Sequence, residues 1–184
     1  MVYTNTWISY AVCTSLLLAS STWAKESICK RHAGVTSCKQ GLVSQIQASG
    51  IVDIEKTAVE GICNIRGQYA IKKATLQAAN LYGNGSINDS HIIGKARIFG
   101  NINAVDSRFD DRLDVWSNRL TLEKVQMKNL HMHTSQNPGG IVMIGAGSSV
   151  SGDIIFEDAP GIVKIHNTVK IVGKIVNGKI VKEG

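Results

Sequence analysis

The chain has 184 residues and carries 20 Lys and Arg against 14 Asp and Glu, a formal charge of +6. With 43% hydrophobic and only 5% aromatic residues, it can bury a core and is not a disordered tail. It also lacks the aromatic-interleaved basic stripe on which single-stranded nucleic acid stacks, so no nucleic-acid partner is expected. The four cysteines show no CxxC spacing and no Cys/His grouping, which excludes a zinc module.

In chain order, residues 1–24 contain no Lys, Arg, Asp or Glu, and the run from Ile8 to Ala19 is apolar. That is the h-region of a secretory leader, too short to span a bilayer comfortably. Thr22 and Ala24 occupy the small-residue positions before a cleavage point between Ala24 and Lys25, although the usual basic n-region is missing. The alternatives are an uncleaved anchor or a lipoprotein at Cys13, but Tyr10 stands where a lipobox needs an aliphatic residue. We therefore expect export to the periplasm or beyond, and no transmembrane segment in the mature chain.

Residues 25–39 precede the first repeat and are expected to form an N-terminal cap. Cys29 and Cys38 are close enough to pair as a disulfide in an oxidising compartment. Cys63 is then left over, and its place in the repeat suggests a buried thiol.

From residue 40 to 184 a repeat dominates. Leu42, Val59, Leu76, Ile92, Phe109 and Val125 follow one another at intervals of 17, 17, 16, 17 and 16 residues. A small residue stands two positions before most of these anchors, at Thr57, Ala74, Ser90 and Ser107. A second large column reads Ile65, Leu81, Ile98 and Val115, and a closing position reads Gly50, Gly67, Gly83, Gly100 and Ser117. Spacing of two within each unit puts these side chains on one face of extended backbone. A unit this short cannot bury its own apolar face, whereas stacking each unit on the next buries a continuous column. The expected fold is all-β: a single-stranded parallel β-solenoid of about eight coils, forming a rod about 40 Å long at ~4.8 Å per coil. Residues 134–140, "TSQNPGG", read as a loop, after which Val150 and Val169 take the last anchor positions.

The units "SGDIIFED" and "VKIVGKIVNGKIV", with their alternating aliphatics and recurrent Gly, resemble the polymer-forming cytoskeletal proteins called bactofilins over about residues 40–182. That resemblance implies a right-handed, three-sided β-helix that assembles end to end without nucleotide, in association with the bacterial envelope. Bactofilins are cytoplasmic, so the leader would make this chain an exported variant.

Candidate chemistry is sparse, and no cofactor is implied. His131 and His133 in "HMH" lie on one strand face at a spacing that could hold a metal, but no third ligand is near, and Leu130 and Met132 take the apolar positions. "RFDDRLD" brings Asp110, Asp111 and Asp114 together, as in β-helix enzymes that cleave glycans, yet Arg108 and Arg112 alternate with them and suggest a neutralised, solvated face. No GxSxG, P-loop or Rossmann fingerprint occurs. "NGS" at Asn84 and "NDS" at Asn88 match N-glycosylation acceptors. Lys164, Lys170, Lys174, Lys179 and Lys182 gather in the last coil and tail, either guarding a strand edge or attracting an anionic envelope surface. Two classes of function follow. One is an exported, non-enzymatic structural or interaction protein that self-associates as a dimer or short polymer. The other is a carbohydrate-binding or carbohydrate-active β-helix using the Asp110, Asp111 and Asp114 face.

Overall fold

Alternation at a period of two becomes, in three dimensions, a chain that winds in one sense and lays each winding on the last. A computed structural model describes residues 28–134 and 139–183. The leader at 1–24, the cleavage point at Ala24 and Lys25, and most of the loop at 134–140 lie outside those residues. The fold is all-β, a β-solenoid of about nine turns against the eight expected. None of the described residues forms a helix long and apolar enough to cross a membrane.

The first strands are β1 (Cys29–His32), β2 (Val35–Val43), β3 (Ile46–Lys72) and β4 (Thr75–Asn88). The next coil is divided into β5 (His91–Ile92), β6 (Ala96–Phe99) and β7 (Ile102–Val105), which define sides A, B and C of a three-sided cross-section. Sides A and B of the following coils come from β8 (Arg108–Trp116) and β10 (Gln126–His133), and side C from β9 (Arg119–Glu123) and β11 (Ile141–Ile144). The last two coils repeat A, B and C as β12 (Ser149–Val150), β13 (Ile154–Phe156), β14 (Gly161–His166), β15 (Lys170–Ile171), β16 (Ile175–Val176) and β17 (Gly178–Glu183).

Parallel register aligns like with like. On side A, Val59, Leu76, Ile92, Phe109, Met127 and Val150 form one inward column. On side B the column is Ile65, Leu81, Ile98, Val115, Met132 and Phe156. Every one of these residues is buried, and each full burial contributes roughly 1.5–3 kcal/mol relative to exposure. Large rings fit because a glycine lies against them, from the neighbouring coil at Tyr69 and from the same coil at Phe156. A Cβ on Gly85 would fall 2.2 Å from the Tyr69 ring, and one on Gly161 would fall 2.0 Å from that of Phe156.

Three anchors read from spacing alone sit elsewhere. Leu42 is 38% exposed and pairs with Ala58, so Val43, opposite Val59, is the first member of the side A column. Val125 and Val169 precede the pairs Gln126–Arg108 and Lys170–Ser149 by one residue. Both therefore fall in the column of the small residues, and the large column continues instead through Met127, Val150 and Ile171.

Two corners are built differently. At the corner before side C, the closing column runs through Gly50, Gly67, Gly83 and Gly100, all with positive φ. Gly83 has φ 123°, and a Cβ there would lie 2.0 Å from the carbonyl oxygen of Gly67, so only glycine lets the backbones close to strand spacing. At the corner before side A, Gln40, Lys56, Lys73, Asp89, Asp106 and Lys124 take φ between 48° and 52°, the left-handed region. The hydroxyl that follows Asp89 or Asp106 stands in for part of the interrupted strand ladder. Ser90 Oγ donates to the Asn88 carbonyl at 2.7 Å and accepts the Ala74 N–H at 3.1 Å, and Ser107 Oγ donates to the Val105 carbonyl and accepts the Ser90 N–H. The two carbonyls also accept the N–H groups of Lys73 and Asp89, so what the hydroxyls supply is an acceptor for the buried Ala74 and Ser90 N–H groups.

At the N-terminal end, β1 turns back on β2 as an antiparallel hairpin, with Cys29 opposite Cys38 and a disulfide joining them. β2 is already parallel to β3, so solenoid pairing begins at Val35, inside the 25–39 segment, and the antiparallel element is β1 alone. Closing so short a loop contributes on the order of 2–3 kcal/mol through the unfolded chain. Cys63 is fully buried, and desolvation pushes its thiol up to about 12, which keeps it neutral and unreactive in the folded protein.

Candidate interaction face

The outward residues of side B form columns as regular as those of the core. Tyr82, Phe99 and Trp116 are opposite one another in the registers of β4, β6 and β8, and His133 is opposite Trp116 in β10. Their rings stack in one ladder: Tyr82 on Phe99 at 4.5 Å, Phe99 on Trp116 at 4.2 Å, and Trp116 on His133 at 4.2 Å, with interplanar angles of 4°, 10° and 8°. The Arg66 guanidinium caps the Tyr82 end, 5.2 Å from the ring centroid. Each aromatic contact adds roughly 0.5–1.5 kcal/mol beyond area burial. The sequence holds the signal for this ladder, since residues 82, 99, 116 and 133 recur at intervals of 17. It passes unnoticed when only the inward, aliphatic residues of the repeat are followed.

Beside the rings lies a polar column. Asp114 points outward yet is 2% exposed, because Lys95 and Arg112 close over it. Lys95 Nζ is 2.7 Å from Oδ2, and Arg112 Nε is 3.0 Å from Oδ1. The Arg112 N–H is not aligned for a hydrogen bond and finds no other acceptor among the described residues. His131 Nδ1 meets Glu157 Oε1 at 2.6 Å. Arg97, between Phe99 and the buried carboxylate, has no ion-pair partner among the described residues and is exposed.

The three aspartates, close in sequence, have different surroundings. Asp110 bonds Arg108 Nε and His91 Nε2, the latter at 2.6 Å, while Asp111 is exposed next to it and Asp114 is on side B. Asp110 and Asp114 are thus set apart by a corner, each with its own cationic partners. His131 and His133 share side B with Leu130 and Met132 directed into the core. No group of three or more metal-capable side chains occurs among the described residues. Asn84 is exposed, with its Oδ1 accepting the Asn101 N–H, and Asn88 is half-buried beside Ser86.

The hydrogen bond from Arg108, and next that from His91, hold the Asp110 carboxyl below its ordinary value. A carboxylate with a lowered folded-state pKa contributes stability above its unfolded value, and that contribution is lost as the pH falls through the folded value. Asp110→Asn is therefore expected to lower Tm slightly at neutral pH and to flatten the fall in Tm below about pH 4. Thermal scans between pH 2 and 7 check this, and an unchanged acid slope would deny Asp110 the role.

No family model matches the chain, nor does any curated protein or solved structure.

Proposed function

We propose that this chain is an exported, non-enzymatic structural or interaction protein, a β-solenoid rod that associates with a second copy of itself through its last coil. The observation behind this reading is the apolar surface of that coil. Val172 is 80% exposed, Val176 44%, Ile180 46% and Val181 36%. In register terms, β15, β16 and β17 lie on β12, β13 and β14 and have no strand on their outer side among the described residues. Such an edge offers unpaired N–H and C=O groups together with apolar side chains, the combination that draws in another strand. A two-fold contact uses the same surface on both copies and then stops.

Lys170, Lys174, Lys179 and Lys182 are interleaved with those apolar residues and oppose the contact. Association is therefore expected to strengthen as salt rises, opposite to an assembly held by unlike charges. Sedimentation velocity at low and high salt tests the reading. The expected result is a monomer–dimer equilibrium that shifts toward dimer in high salt and is abolished by Ile180→Glu. A monomer under every condition would sink it, and long filaments would replace it with the open polymer that the bactofilin resemblance implies.

A further inference from the structure

We infer that the outer surface of side B is a binding track for an extended anionic polysaccharide lying along the rod axis. Three observations converge on it. The first is continuity. A groove of about 1020 Å³ lies between the β1–β2 hairpin and the first coils of side B, and Tyr82 lines both it and the depression over the ladder. Trp116 and His133 then line both that depression and the next one. From Ser49 at the near end to His133 at the far end, the track crosses five strand spacings, about 24 Å.

The second observation is charge. Arg31, Arg66, Lys95, Arg97 and Arg112 line these depressions. Asp114 is buried beneath two of these cations and Glu157 is engaged by His131, so the surface left to a ligand is cationic from Arg31 to Arg112, while the depression beyond His133 adds the exposed Asp158 and no Lys or Arg.

The third is the orientation of the rings. Phe99 and Trp116 each have both faces covered by neighbouring rings, and the free face of Tyr82 holds Arg66. What they offer outward is ring edge, the electropositive rim of the quadrupole. Nucleobases and neutral sugar faces bind by stacking on ring faces, and here the inner rings have none to give. A carboxylated glycan, by contrast, meets cations and positive edges together. Every side B strand between the first and last coils has a neighbour on both sides, so an acidic peptide finds no strand edge there to extend.

The test is affinity electrophoresis of the full chain through gels containing polygalacturonate, with dextran gels as the neutral control. Retardation is expected in polygalacturonate only, and it should fall as salt is raised. Arg66→Ala/Arg97→Ala, both exposed positions, is expected to weaken binding about tenfold. Lys56→Ala/Lys72→Ala, at exposed positions outside these depressions and outside the last coil, removes the same charge and is expected to bind as the unaltered chain does. That control separates a track from general attraction to a basic protein, and it also leaves the outcome independent of self-association. Equal retardation by dextran, equal loss in both double variants, or no retardation at low salt would each overturn the inference. Displacement of polygalacturonate by a thymidine oligonucleotide at lower concentration would overturn it in favour of nucleic acid.

Discussion

Replacing Ile92 with Asp is expected to abolish cooperative thermal unfolding, or to lower the midpoint so far that little folded protein remains at 25 °C. Ile92 is fully buried between Leu76 and Phe109 in the side A column. A carboxylate there meets only hydrocarbon on its own side of the sheet, and it has no cation or donor to pair with. An unpaired charge in such a site costs several kcal/mol, comparable to the whole stability of a domain this size. Phe109→Asp is expected to do the same. His91→Ala and Arg108→Ala, one residue away and facing out, are expected to shift the midpoint by only a few degrees. Circular dichroism melts of the four variants decide the matter, and similar losses from inward and outward changes would refute the register.

The second large effect is expected at the glycine corner. Gly83→Ala places a methyl group in a backbone conformation that side chains rarely adopt, and 2.0 Å from the Gly67 carbonyl oxygen. The oxygen belongs to strand backbone and cannot swing aside, so the two coils must separate locally and lose ladder hydrogen bonds on both sides. A loss of roughly 3 kcal/mol or more is expected, from backbone strain together with overpacking. Lys73→Gly, at the other corner, relieves a left-handed residue of its side chain and is expected to change stability by less than about 1 kcal/mol. Urea denaturation midpoints compare the two. A mild Gly83→Ala would mean that the corner can relax and that the glycine column is not needed for close approach.

How far the sequence discloses this fold depends on which residue type fills each column. Side B was legible because Ile65, Leu81, Ile98 and Val115 are all large and aliphatic and keep their step. Side A misled after Phe109 for a physical reason. The glycine column ends at Ser117, where the corner holds one residue more than at Gly100, so the next core residue is Met127 rather than one of the same spacing. Val125 then occupies the column that Ser90, Ser107 and Ser148 fill with hydroxyls, and an apolar residue in a polar column imitates an anchor. Leu42 misled because the register of the first coil is set by its pairing with β3, which places Val43 opposite Val59.

The interaction face was less legible still. Hydrophobic alternation reports what points inward and is silent about the outer columns, where Tyr82, Phe99, Trp116 and His133 differ in polarity and are related only by ring shape. The left-handed corner was equally hidden: Asp89 and Asp106 tolerate that conformation, but Lys56, Lys73 and Lys124 give no sign of it. What distinguishes Asp114 from Asp110 is the corner between them, which neither composition nor spacing marks.

The unequal coils have a geometric consequence. Side A partners are 17 residues apart from Ile92 to Phe109, but 23 apart from Met127 to Val150 and 21 from there to Ile171. Each coil nevertheless advances the rod by one strand spacing, because the hydrogen bonds between rungs fix the rise. Added residues therefore widen the perimeter and leave the length alone. Most of the surplus falls between His133 and Ile141, next to the last ring of the ladder. The molecule behaves as a ruler graduated in rungs: its length counts coils rather than amino acids, and the corner beyond His133 can lengthen or shorten without moving any mark on the scale.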